Sequence, residues 1–218
     1  MKAGSIREVN ASRGTREIRP GLHRVLGVDP AASGPTGYGV VETDGRGCRT
    51  IHYGATPPSR GKLHDFSARL CEIHALIVRL IEEYSPAAMA VESVFTALNM
   101  RTALMLAEMR GVVQLAAAQR GIIVCSYSPR EVKACVAGYG NASKEQMQIM
   151  VRAMLSMQET PQPSDAADAL AVALCHIHTA RSRARIAAAM VPHAASRNAS
   201  PGSILGTPRR AEPQRLHR

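Results

Sequence analysis

Aromatic side chains are scarce in this chain: they make up only 3% of its 218 residues, and there is no tryptophan. A core of normal density must therefore be assembled from Leu, Val, Ile, Met and Ala, and the length allows one such core in one domain of ordinary size. Long apolar runs are also missing. No stretch approaches the roughly eighteen apolar residues of a membrane span, and no charged-then-apolar leader opens the chain, so the expectation is a cytoplasmic protein with no membrane association. Cysteine patterning is absent too. The five cysteines, Cys48, Cys71, Cys125, Cys135 and Cys175, are odd in number and never spaced C-x-x-C. This argues against a disulfide framework and a thiolate zinc site, and leaves small buried or half-buried thiols. His176 and His178 stand two apart near a helix end, on different faces, which suits packed or solvated side chains better than metal ligands.

The formal net charge is +10, yet it is confined to the ends. Residues 1–24 hold six Lys/Arg against two acids, residues 183–218 hold seven Arg against one, and the segment between them is balanced at fourteen of each. The ends are rich in Gly, Ser, Pro and Arg without sustained periodicity. They read as a basic disordered extension, 1–22, and a basic disordered tail, 183–218, around a domain spanning 23–182.

Within that domain the pattern begins with three short β-branched runs, 24-RVLGVD-29, 38-YGVVET-43 and 48-CRTIHYGA-55. Their short connections, one of them Asp44-Gly45, predict an antiparallel meander. Residues 62–84 place Leu63, Phe66, Leu70, Ile73, Leu76, Ile77, Leu80 and Ile81 at helical steps before Pro86. Then follow a buried strand, 87-AAMAVE-92, a helix over about 98–120 and a second buried strand, 122-IIVCSY-127, an order that implies parallel pairing. Helices starting near Ser128-Pro129, near Ser143 and at Asp165 complete a mixed α/β domain whose sheet combines an antiparallel meander with parallel strands.

Two of these strands end on isolated carboxylates, Asp29 and Glu92, and the last helix opens with Asp165 and Asp168. Taken alone, Ser164 as an N-cap followed by two acids is ordinary helix capping, and a strand-terminal acid is ordinarily a turn residue. Taken together, the four fall where an α/β sheet gathers ligands, beyond the carboxyl ends of its strands. Clustered ionised acids repel one another unless divalent cations neutralise them, and oxygen ligands holding a Mg²⁺ pair about 3.5–4 Å apart are suited to phosphodiester hydrolysis.

The segments 25-VLGVDPAASGPTGYGVVE-42, 91-VESVFTALN-99, 110-RGVVQLAAAQRG-121, 127-YSPREVKACVAGYGNASKEQMQIMV-151 and 164-SDAADALAVALCH-176 together resemble the RuvC family of bacterial Holliday junction resolvases. That resemblance, in order over about residues 24–178, implies a ribonuclease-H-like fold. It also implies a homodimer that nicks two strands of a four-way DNA junction with Mg²⁺, two ions per site with Mn²⁺ as a substitute, alongside the RuvA–RuvB branch-migration complex. It assigns Asp29, Glu92, Asp165 and Asp168 as catalytic metal ligands, Phe95 as an aromatic inserted into the junction, and Lys133 and Lys144 as DNA contacts. Arg101, Arg110 and Arg130 are further phosphate candidates. Two features depart from the family pattern: 29-DPAASGPTGYG-39 replaces the usual Asp-Pro-Gly-Ser opening, and Leu98 replaces a frequent lysine. Two other readings therefore stand beside junction cleavage: another ribonuclease-H-like nuclease, or a branched-DNA-binding module with impaired catalysis.

The charge split generates its own prediction. Tails without base-reading structure act on DNA only as mobile counterions for phosphate. Removing both basic ends should flatten the salt dependence of duplex binding and spare selectivity for junctions; an unchanged slope of affinity against salt would show that the ends are idle.

Overall fold

The computed structural model describes residues 21–58, 66–93 and 99–190. Phe95, Leu98 and nearly all of both basic ends lie outside the described residues. Three strands open the domain, His23–Asp29 (β1), Gly37–Thr43 (β2) and Cys48–Ala55 (β3), followed by the helix Phe66–Tyr84 (α1) and the strand Ala88–Glu92 (β4). Helix Met100–Ala118 (α2) leads to strand Ile123–Tyr127 (β5), and helices Pro129–Ala137 (α3), Lys144–Met154 (α4) and Ser164–Met190 (α5) follow. The sheet order is β3-β2-β1-β4-β5, with β1–β2 and β2–β3 antiparallel and β1–β4 and β4–β5 parallel.

The sheet is covered on both faces, which is why β1 and β4 read as continuous apolar runs rather than as alternations. On one side Ile73, Ile77 and Leu80 of α1 pack with Met109, Val113, Ala116 and Ala117 of α2 against Leu26, Val28, Met89 and Val91. On the other, Leu170, Val172 and Leu174 of α5 join Val132, Val136, Met147 and Val151 of α3 and α4 over Val25, Val41 and Ala90. Local signals start the short helices. Ser128 and Glu131 form a reciprocal capping box at α3, with Pro129 at its first position, and Ser143 and Gln146 do the same at α4. The Asn99 side chain caps α2 by accepting from the Thr102 N–H.

Helix α5 lies unusually close to the sheet. A Cβ on Gly27 would sit 2.1 Å from the Ala169 carbonyl oxygen, and one on Gly37 would sit 1.9 Å from that of Asp165. The helix answers with its own small residues, since Ala166, Ala167, Ala169, Ala171 and Ala173 are all buried. Its first turn therefore rests directly on the β1–β2 pair.

Two expectations are corrected at this helix. Ser164 is its first residue rather than a residue outside it, and the Ala166 N–H donates to the Pro163 carbonyl at 3.0 Å. The tail boundary at 182 is also too early, because α5 continues to Met190 with its last residues exposed. The Ala-rich 184–190 stretch sustains helix by propensity without an apolar face to signal it.

The contact at Gly27 yields a prediction. Because the obstructing atoms are backbone, Gly27→Ala should cost about 3 kcal/mol, the upper part of the range for overpacking, and urea unfolding would show it; a loss under about 1 kcal/mol would mean that α5 moves off the sheet freely.

Candidate active site at the strand ends

Register brings the two strand-terminal acids together. Val28 of β1 is level with Val91 of β4, so Asp29 and Glu92, each one residue further on, leave the sheet side by side. Asp29 is also paired across to Gly37, and Gly37 lies under the Asp165 carbonyl. The same close approach that seats α5 thus delivers its first turn to the end of β1. Asp168, one turn along, joins Asp29 and Glu92 in lining a cavity of about 220 Å³, together with Lys133 of α3 and Lys144 and Met147 of α4. Asp165 stands beside it, close enough for its charge to act on Asp29, Asp168 and Lys144.

The electrostatics show acids held together against their repulsion. Burial pushes the Asp29 carboxyl well above the ordinary carboxylate range, and the neighbouring Glu92 pushes it further, with Asp168 and Asp165 adding to the effect. The contact between the two carboxyls raises Asp29 and works against the upward shift of Glu92. Glu92 is raised by burial and by Asp168, and Lys133 opposes this. Asp168 is raised by burial although Lys144 pulls it down through an ion pair, Nζ to Oδ2 at 3.0 Å. For Lys144, burial works against its charge, and the acids, Asp168 first, outweigh it and raise its proton affinity.

Among the described residues, no three His, Cys, Asp or Glu side chains are already drawn into a metal cage. The donor set nevertheless fits a hard divalent cation. Every candidate ligand is a carboxylate oxygen, as Mg²⁺ or Mn²⁺ prefers, and the Lys144 ammonium offsets only part of the cluster's negative charge.

The other sequence candidates separate clearly. Lys133 and Lys144 line the cavity. Arg101 and Arg130 are exposed away from it, and Arg110 is turned to β5, where its Nη2 donates to Ser126 Oγ at 3.0 Å. The His176 Nδ1 lies 2.9 Å from the Tyr127 hydroxyl. Cys71 is exposed rather than half-buried. Sequence reasoning missed the wall formed by Pro129, Val132, Met147 and Ala171, whose helical spacing marks them only as core. It also missed Arg69. This buried arginine donates to the carbonyls of Gly34 and, at 3.2 Å, Pro57, and so anchors the divergent loop after Asp29 to α1.

A five-stranded mixed sheet with two antiparallel and two parallel pairings, covered by helices and carrying acids at the ends of β1 and β4, has the ribonuclease-H-like fold. The model of the family described as crossover junction endodeoxyribonuclease RuvC matches residues 25–176, and the chain belongs to that family. It is 46% identical over 161 residues to the crossover junction endodeoxyribonuclease RuvC of Moorella thermoacetica, covering 74% of this chain and 95% of that one. With the Syntrophomonas wolfei enzyme of the same name it shares 42% identity over 160 residues, 72% of this chain and 90% of the other. Among solved structures it is similar to Thermus thermophilus RuvC in complex with Holliday junction substrate. That match has a TM-score of 0.68 and 35% identity, covering 74% of this chain and 96% of that one.

The raised carboxyl of Asp29 has a consequence for stability. A folded-state value above the unfolded one means that the fold is favoured most where Asp29 keeps its proton, below the unfolded range, and loses that contribution as pH rises through the folded value. Without divalent cations at neutral pH, Asp29→Asn should therefore melt higher than the parent. A gain of roughly 2–4 °C corresponds to about 1 kcal/mol in a domain of this size, and the difference should vanish towards pH 3; a lower melting temperature at neutral pH would show that the carboxylate is stabilising.

Proposed function

We propose that this chain resolves four-way DNA junctions by metal-dependent hydrolysis at the cavity between β1, β4 and α5, with Asp29, Glu92, Asp165 and Asp168 as its metal ligands. The observation that carries this reading is the convergence of Asp29, Glu92 and Asp168 on one cavity flanked by Lys133 and Lys144. Family membership supports it, as does the likeness to a solved RuvC bound to junction DNA.

Two Mg²⁺ ions, or Mn²⁺ in their place, would supply polarisation of the attacking water and stabilisation of the leaving 3′ oxygen. The chain's own residues do the rest. Asp29 and Glu92 would hold such ions through their carboxylate oxygens, with Asp165 and with Asp168, which is paired with the Lys144 ammonium, as further donors. Lys133 and Lys144 line the same cavity, placed to contact phosphate and to offset the field of the acids. Phe95 is assigned to unstack bases at the crossover, and Arg101 and Arg130 to more distant phosphates. Arg110, held on Ser126, serves the α2–β5 contact instead.

Paired nicks require two such sites, hence two copies. Helix α2 offers the surface: Met100, Leu104 and Leu115 are 75%, 58% and 52% exposed, and Gly111 between them is open, all along one edge of a helix whose other side is buried. A symmetric homodimer packed through this stripe accounts for the exposure. The RuvA–RuvB complex is the partner implied for delivery to junctions. Among the described residues no helix is long and apolar enough to cross a membrane, and the proposed site of action is cytoplasmic.

Two measurements test this. Glu92→Gln should abolish junction cleavage in single-turnover assays, by at least about a hundredfold on the scale of lost metal ligation, while leaving junction binding equal or tighter; retained cleavage would remove Glu92 from the reaction. Leu104→Lys should convert a dimer to a monomer in light scattering at micromolar concentration and uncouple the paired nicks, and a dimer that persists would place the interface elsewhere.

A further inference from the structure

A second cluster lies further along the seam between α3 and α5, beyond the carboxylate cavity. Three of the five cysteines, Cys125 of β5, Cys135 of α3 and Cys175 of α5, line one open groove of about 610 Å³ together with Tyr127, Thr179 and Arg183. Neither composition nor spacing foretold this, because the three are separated by ten and forty residues and come together only in the fold. Cys135 is half-buried and faces the groove, whereas Cys175 is 1% exposed. The two thiols lie close enough to act on each other electrostatically. The Cys135 Sγ also lies 3.8 Å from the Cys175 carbonyl oxygen, and the Cys175 Sγ lies 4.0 Å from that of Glu131.

We propose that Cys135 and Cys175 are an oxidisable dithiol, closed to a disulfide by hydrogen peroxide. The pair has a division of roles that this chemistry requires. The neighbouring Cys175 thiol brings the Cys135 thiol down to about 7 against the opposing effect of burial, which makes Cys135 the more readily ionised of the two. The same contact, with burial, holds Cys175 protonated. Cys135, reached from the groove, attacks one peroxide oxygen; the O–O bond breaks, hydroxide leaves and takes up a proton as water, and Cys135 becomes a sulfenic acid. The Cys175 sulfur then attacks the Cys135 sulfur, the S–O bond breaks, a second water departs with the Cys175 proton, and the S–S bond forms. Two thiols have lost two electrons and one peroxide has become two waters. The bond ties α3 to α5 one turn from Ala171 and two residues from Lys133, both of which line the carboxylate cavity.

The test uses the full chain. Hydrogen peroxide in slight excess, followed by digestion without reductant and mass spectrometry, should give a peptide joining Cys135 to Cys175, lost on adding dithiothreitol. In Cys175→Ala the oxidation should stop at a Cys135 sulfenic acid captured by dimedone, and in Cys135→Ala the Cys175 thiol should remain reduced. Exposed Cys71 on α1 is the internal competitor. Oxidation of Cys71 while Cys135 and Cys175 stay free, or a bridge from Cys135 to Cys125 instead, would overturn the assignment.

Discussion

The structure depends on how closely α5 approaches the sheet. Ordinary helix-on-sheet packing interposes side chains and keeps backbones well apart, whereas here the glycines of β1 and β2 meet a row of alanines and the backbones nearly touch. An aromatic-poor composition makes this a necessity as much as a choice. With no tryptophan and two phenylalanines, volume cannot be filled by large rings, and the remaining route to close packing is to remove side chains on both partners. The closeness also has a chemical result. The backbone contact thus sets the position of Asp168 relative to Asp29 and Glu92.

Much of this was legible beforehand, for identifiable reasons. All five strands and all five helices announce themselves by periodicity or by caps, and the four acids stand at the ends of apolar elements, where their role as site candidates survives the bland reading of each alone. The lysines were legible only through likeness to a family. Lys133 and Lys144 look like solvated charges in their local sequence, and only the fold turns both onto one cavity. The sequence was silent about contacts between distant segments. Arg69 reads as one more charge on an amphipathic helix, yet it is buried and gathers two loops; the cysteine groove joins three segments with no shared pattern.

The Arg69 anchor bears on the divergent loop. Lacking the usual glycine, the segment after Asp29 cannot follow the family backbone by relying on that residue's freedom. It is held instead by tertiary hydrogen bonds: the Ala31 N–H donates to Thr36 Oγ1 at 3.3 Å, the Thr36 N–H to Thr56 Oγ1 at 2.9 Å, and Arg69 to the Gly34 carbonyl. A buried Thr36 at the hub of these bonds makes the loop a fixed part of the domain rather than a flexible lip. Asp29, Glu92 and Asp168 remain together on one cavity beside it.

The two ends of the β1–β2 pair treat buried carboxylates in opposite ways. At the far end Glu42 sits opposite Arg24, its Oε2 accepting from Arg24 Nε at 3.0 Å while Arg49 Nε donates to Oε1 at 2.7 Å. Burial pushes this carboxyl up, but the two guanidiniums outweigh it and hold it below its ordinary value. Its stabilisation is therefore present above the unfolded carboxylate range and is lost as pH falls through the lower folded value. At the near end Asp29 meets Glu92 where Glu42 meets arginine, and its shift runs upward. One carboxylate is closed by permanent, bidentate-capable cations that no ligand displaces. The other lies among carboxylates, with the Lys144 ammonium paired to Asp168 and Lys133 acting on Glu92. The sheet thus carries a carboxylate neutralised by arginines at one pole and a cluster of acids with less compensating charge at the other, which is the charge that the proposed divalent cation would offset.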